Sequence, residues 1–551
     1  MGDNQLIETP EAGFITIDAN FSVFHTYSMS HTWHDFLRSH HELSFSSQSK
    51  TRLSDIGLLG RRNDRELRPY HVCVWWVLLS WFSAVILFCF GFAAAAAEEG
   101  TAATWESLFN GKDLSNWDKY LAPSKEGEPP LGLNNDPRGV FTVVQVDGAP
   151  AIRVSGELFG GITARGEFDN FHIRVEYKWG TKRWPPRANV GRDSGLLYLS
   201  IGPPGAGSGA WMRSVECNIM EKGTGQFWSV AGSFIDVEGE RVTPAMESLV
   251  PYKKEGAGES LVVYKKGAPR TTSTLGDGVT PNVDYEIYGG AWNVCEVIFW
   301  GGTGIHILNG KVNLVLTNPR YREGDRDVAL TKGKIQLQSE GAEVYYRKVE
   351  IRPLSELPRE YLAEVPRAQA GEQGFTPLFG KAPKEDWTQC GPGNFTLENG
   401  VATGHGGMGL WWYTQRQFTN FVLRGEFLQE QEIADSGVFV RFPDPGSDPW
   451  VAVRKGHEIE IGDPKPEKPT WTTGSIYPFH APVAAPVKPI GQWNDYEIVC
   501  VGHNYSVRLN GQLINTWTDR TKRSSSGYLG LQNYNDDKIV RHRNLRIKEL
   551  P

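Results

Sequence analysis

The feature that most constrains this chain is a strand-like segment that occurs twice. Val215-Glu216-Cys217-Asn218-Ile219-Met220-Glu221 and His457-Glu458-Ile459-Glu460-Ile461-Gly462-Asp463 both alternate polar and apolar residues. On an extended backbone the acidic side chains then share one face, while Cys217 and Ile219, or Ile459 and Ile461, fill the other. Each segment also follows an Asp-Ser-Gly strand at the same separation, Asp193 to Tyr198 in one case and Asp435 to Arg441 in the other. Two such pairs in the same order imply a duplicated domain, each copy expected to carry carboxylates on an exposed strand face.

Other segments pair in the same way. Trp105 to Trp117 has its counterpart in Phe375 to Gly380 followed by Asp386-Trp387, and Phe171 to Tyr177 has its counterpart in Phe421 to Phe427. Trp292-Asn293 leads to Asn309-Gly310, and Trp493-Asn494 leads to Asn510-Gly511. Asn-Gly between apolar runs predicts a hairpin, because a type I′ turn needs two residues that tolerate positive φ. Both copies close on Gly-x-Ile/Leu-x-Leu-Gln, at Gly333 to Gln338 and Gly527 to Gln532, before an Arg-rich strand. With Gly 61, Pro 33 and abundant aromatics, many short strands and few helical patterns predict an all-β chain of two tandem jelly-roll β-sandwiches. The expected domains are 104–354 and 373–551. The linker 355–372 contains Pro358 and Pro366 and is predicted to hold one helical turn at Glu360 to Glu364.

Residues 1–70 are rich in Ser and His and lack periodicity, so they are expected to be poorly ordered. Arg61, Arg62, Arg65 and Arg68 then precede an uncharged run from Val72 to Ala97. This basic flank, apolar core and small-residue end predict a signal peptide or signal anchor over 71–98, with membrane anchoring through 72–97 as the alternative to cleavage. The expected location is periplasmic or extracellular. A net charge of -7 without a basic face argues against nucleic acid as a partner. Cys217, Cys295, Cys390 and Cys500 are widely spaced and fit buried thiols better than a disulfide framework or a metal cluster.

The opening Leu108-Phe109-Asn110-Gly111-Lys112-Asp113-Leu114-Ser115, the Asp-Ser-Gly strand, the Trp-Asn and Asn-Gly hairpin and the closing Leu-Gln motif together resemble the 3-keto-disaccharide hydrolase domain family. The resemblance covers Trp105 to Leu354 and, in shorter form, Phe375 to Leu550. It implies a concanavalin A-like or glucanase-like jelly roll and a carbohydrate partner.

A ketone at C3 of a glycoside acidifies the hydrogen at C2, so a base there can expel the C1 substituent, and water completes a net hydrolysis. Such a site needs a base, an enolate stabiliser and an acid. Glu458 and Glu460 lie on one strand face about 6.6 Å apart along the backbone, and repulsion or burial would raise one of their pKa values. They are the leading catalytic candidates, with Arg441 and His457 as polarisers. Asp435, Asp463, Tyr477, His480 and Gln532 are candidate substrate contacts, Asp463 only if Gly462 bends the strand. In the first copy Glu216 and Glu221 are the candidate acids, with Asp193, Tyr198, Trp211, Trp228 and Gln338 as sugar contacts. Asn218 stands there in place of one carboxylate.

The bland readings are a solvated strand face for the carboxylates and a turn-shaping role for Asp193 and Asp435. Two other functional readings compete with 3-keto-glycoside cleavage: a non-catalytic lectin-like module, and a jelly-roll β-glucanase, whose acid spacing Glu458, Glu460 and Asp463 resemble. No cofactor is expected. No complete calcium loop is present, so no obligatory metal is predicted, though a structural calcium stays compatible with the sequence.

Overall fold

The computed structural model describes residues 104–551 apart from 126, 243–260, 274–277, 368–371, 373, 380–382 and 433. The N-terminal extension and the Val72 to Ala97 segment lie outside the described residues.

The duplication is realised as two β-sandwiches of the same topology. In the second copy one sheet runs in the order Trp387–Cys390, Gly409–Tyr413, Tyr528–Asn533, Ser436–Phe442, His457–Ile461 and Ile476–Tyr477. The first copy repeats this order with Trp117–Pro123, Gly160–Ala164, Lys334–Ser339, Asp193–Ile201, Arg213–Met220 and Phe227–Val230. These are the site sheets. The opposing back sheets also match: Ala342–Pro353, Phe171–Arg183, Asn293–Trp300, Thr303–Leu308 and Lys311–Glu323 correspond to Val540–Glu549, Phe421–Gln429, Asn494–Val501, Asn504–Leu509 and Gln512–Thr518. The first copy adds the strands Ser233–Val242, Leu261–Tyr264, Arg270–Thr272 and Gly278–Thr280, which join its two sheets at one edge.

Alternating residues explain the packing. Val175, Tyr177, Cys217 and Ile219 fill one core, and Leu423, Ile459, Ile461 and Ile498 fill the other. Cys217 and Cys295 face each other in the first core as free thiols, their sulfurs 3.6 Å apart. Both Asn-Gly turns adopt the expected geometry, with φ of 51° and 74° at Asn309 and Gly310 and 48° and 85° at Asn510 and Gly511. The asparagines also accept a backbone hydrogen bond from the preceding strand of the sheet, from Val294 at 2.9 Å and from Asp495 at 3.0 Å. Arg347 and Arg543 lie over Trp292 and Trp493, 3.9 and 4.0 Å from the ring centroids, and pair with Glu176 and Glu426.

The copies meet through their back sheets. The Asn170 amide donates to Asn504 Oδ1 at 2.6 Å, and Trp300 Nε1 donates to Thr518 Oγ1 at 3.0 Å. The linker carries a 3₁₀ turn at Arg359–Glu364, and its Leu357 and Leu362 pack with Leu513 of the second copy. Leu357 N donates to Thr516, and Arg508 donates to the Val365 and Pro366 carbonyls. A cavity of about 80 Å³ remains between Trp300, Leu330, Val499 and Arg508. The carboxylate strands that carry Glu216 and Glu458 belong to the other sheets, away from this interface.

Candidate active site on the second site sheet

Strand parity places Glu458 and Glu460 on the outer face of the second site sheet. The expected exposed face is corrected here: Glu458 is 3% and Glu460 6% exposed. Two elements account for this. The short helix Trp450–Lys455 lays Ala452 on an apolar half-face of Leu410, Trp412, Phe439 and Phe442. Beyond Ile461 the chain turns at Gly462 and folds back, with Thr473 N donating to Gly462 O, Gly474 N to Glu460 O and Glu460 N to Ser475 O. This loop carries Trp471, which packs under Lys468 and Lys465 at 3.7 and 4.6 Å. Tyr477 is the cross-strand neighbour of Glu458.

Asp435 stands half-buried just before the Ser-Gly strand and completes a group of three carboxylates. Ser436 turns the other way, donating to Gln532 O and meeting His542, which locks the strand onto its neighbour. Gln532 projects to the acidic side, where it acts against the rise in the Glu458 pKa. Among the described residues, none of the three carboxylates forms an ion pair. Burial, and then the charge of Asp435, push Glu458 well above the usual carboxylate range. Burial followed by Glu458 and Asp435 does the same to Glu460, against a smaller opposing pull from Lys465. Burial raises Asp435 to about 6, with Lys465 opposing and Asp463 adding to the rise. The group therefore holds protonated acids beside a carboxylate that ionises near neutrality.

The first site sheet has the same scaffold with different electrostatics. Asp193, Glu216 and Gln338 occupy the positions of Asp435, Glu458 and Gln532, and Asn218 that of Glu460. The strands Phe171–Arg183 and Asp193–Ile201 are joined by residues 184–192, a longer connection than 430–435 in the second copy. That longer loop inserts Arg187, buried and bonded to both Asp193 and Glu340, the latter at 2.7 Å. Tyr534 stands where Glu340 would be. Arg187 and Glu340 in one copy, and Lys465 and Trp471 in the other, were not among the candidates. Only the unequal length of the connecting loops points to Arg187.

The remaining candidates fall elsewhere. His457 has the opposite parity to Glu458 and lies in the core against Tyr505 and Trp517, its Nε2 3.3 Å from Asp519. Arg441 is also buried there, donating to the Thr419 and Gly502 carbonyls. Tyr198 faces the first core and hydrogen-bonds His306 at 2.9 Å. Trp211 is buried over Leu197 and donates to Gly160 O, capping the sheet. Glu221 pairs with Arg192 and Arg183; burial works against ionisation, but the Arg192 hydrogen bonds prevail and lower its pKa. His480 bonds Asn515 and approaches Glu356 of the linker at 3.3 Å. Trp228 is the cross-strand neighbour of Glu216, the position Tyr477 holds beside Glu458. Asp463 leaves the strand after Gly462 and contributes its charge to the Asp435 side. No cluster of three or more His, Cys, Asp or Glu arranged to hold a metal occurs among the described residues.

This scaffold of two jelly rolls with acidic outer faces defines the class, and the chain belongs to the 3-keto-alpha-glucoside-1,2-lyase-like domain family, whose model matches residues 104–352 and 374–548. No curated protein matches the chain. Among solved structures, a Parabacteroides distasonis protein provisionally assigned as a glycosyl hydrolase is 24% identical, covering 32% of this chain and 99% of its own, at a TM-score of 0.27. The carbohydrate-binding module CBM66 of Bacillus subtilis is 10% identical, covering 30% and 96%, at 0.23. A Bacillus subtilis protein of unknown function with a galectin-like fold is 13% identical, covering 32% and 94%, at 0.26.

Proposed function

We propose that the second copy cleaves 3-keto-glycosides by elimination across C1 and C2. A base removes the C2 proton, which the C3 ketone acidifies. The C1–O bond then breaks, and an acid returns a proton to the departing oxygen. Water adds to the resulting double bond to complete a net hydrolysis. Asp435, with its pKa near neutrality and its partial exposure, suits the base. Glu458 and Glu460, held protonated by burial, suit the acid and the donor to the enolate oxygen. Tyr477 and Gln532 would contact the sugar. The observation that carries this reading is the grouping of half-buried Asp435 with buried Glu458 and Glu460, none of them ion-paired among the described residues, in contrast to the Arg187-bridged first copy. The basic-then-apolar segment ending at Ala97 supports export of the chain.

The test is turnover of 3-keto-trehalose, trehalose and laminarin by the purified protein, following release of glucose or reducing ends. Cleavage of the keto sugar alone, lost on Glu458→Gln and on Asp435→Asn, is expected. Loss on Glu216→Gln instead would move the chemistry to the first copy, and no turnover of any sugar would overturn the reading.

A further inference from the structure

The first copy has buried polar atoms that its own chain does not satisfy. Asn218 Oδ1 and Gln338 Oε1 have no hydrogen-bond partner, and their residues are 2% and 1% exposed. A buried acceptor left without a donor keeps the cost of its lost hydration uncompensated. Two of them on one small patch point to a donor that comes from outside the chain.

The patch has room for one. Asn218 lines a cavity of about 10 Å³ together with Arg187, Glu216 and Trp228, which is space for a single oxygen atom. Gln338 reaches the same floor: its Oε1 lies 3.0 Å from where a Cβ on Gly195 would sit, and Gly195 is the cross-strand neighbour of Asn218. Trp228 forms the wall on the neighbouring strand and is half-buried, with its benzo ring close to its cross-strand neighbour Gly278. A flat aromatic wall beside acceptors that want hydroxyl protons is how proteins hold a sugar ring. Asn218 in the position of Glu460, and Arg187 bridging Asp193 and Glu340, remove the acid pair that cleavage would need.

We propose that the first copy is a second carbohydrate site that binds without cleaving. One hydroxyl of a neutral, glucose-type disaccharide enters the cavity and donates to Asn218, a neighbouring hydroxyl of the same sugar donates to Gln338, and the ring lies along Trp228. The proposal does not depend on turnover in the second copy.

The experiment is calorimetric titration of the full chain with trehalose and with maltose, repeated on Asn218→Leu and Gln338→Met, with Tm measured for each. Both substitutions keep side-chain size and remove an acceptor that lacks a donor. Each is expected to weaken disaccharide binding at least tenfold, with Tm unchanged or raised. Glu458→Gln is expected to abolish turnover of 3-keto-trehalose yet keep this binding, so the two readings fail separately. Unchanged affinity in both variants would overturn the proposal and leave a cavity for a structural water, as would no binding of either sugar by the wild type. Should both variants lower Tm, Trp228→Ala decides: weakened binding supports the site and unchanged affinity overturns it.

Discussion

Gly437 lies directly beneath the Glu458 carboxylate, so close that a methyl group on its Cα would overlap Oε1. Its φ is not positive, so the glycine serves approach rather than backbone conformation. Gly195 stands beneath Glu216 in the same way, which explains why the residue after Asp-Ser is glycine in both copies.

Gly437→Ala is therefore expected to act by displacing Glu458. A misplacement of about 1 Å in a catalytic group costs roughly 10²-fold in rate, while overpacking costs about 1–3 kcal/mol in stability. Steady-state kinetics on 3-keto-trehalose, beside denaturant unfolding, should show the larger loss in kcat. A variant as active as the wild type would separate Glu458 from the chemistry.

The carboxylate group also sets a pH dependence of stability. Burial raises Asp435 from 3.8 to about 6, and it raises Glu458 and Glu460 further above their usual 4.5. The folded state thus holds protons that the unfolded chain has released, so stability is greatest below the ordinary carboxylate values and falls as pH rises through 6 and beyond. For Asp435 the loss is roughly 3 kcal/mol at most. Asp435→Asn and Glu458→Gln are expected to raise Tm at about pH 7, with the gain shrinking toward about pH 4. Thermal unfolding across that range measures it, and a gain that grows toward low pH would contradict the assignment.

Much of this architecture is legible in the sequence because period-two alternation and turn chemistry are local. Asn309-Gly310 and Asn510-Gly511 need nothing beyond their neighbours to define a hairpin. Parity alone also separates His457 from Glu458, so its placement in the core follows from the same alternation that marks the acids. What alternation cannot distinguish is an open strand face from a covered one. Glu460 is buried because the chain from Gly462 to Ile476 folds back over it, a contact that depends on where a loop goes. Arg187 is hidden for the same reason: it reaches Asp193 and Glu340, one of them over 140 residues away, only through the length of the 184–192 connection.

Arg187 itself gives a stability prediction. Removing one member of a buried ion network strands the others, at a cost of about 3–5 kcal/mol. Arg187→Met should destabilise the protein by that order, because Asp193 and Glu340 stay buried. Adding Glu340→Gln should recover part of the loss. Chemical denaturation of the single and double variants would show it, and a simple sum of two losses would argue against the shared network.

The last prediction concerns how the copies are held together. Glu497 is buried on the back sheet of the second copy, bonded to Arg424 at 2.8 Å and near Arg508 at 3.5 Å, and Arg508 in turn donates to the linker carbonyls of Val365 and Pro366. A neutral Gln at this position would leave two buried guanidinium groups facing each other with less compensation. Glu497→Gln is therefore expected to lower stability by about 3–5 kcal/mol and to loosen the linker from the second copy. Because Leu513 packs with Leu357 and Leu362 of that linker, the loosening should split one cooperative unfolding transition in scanning calorimetry into two. A variant that unfolds in one transition at the wild-type temperature would show that Asn170, Trp300 and the apolar linker contacts hold the copies together without it.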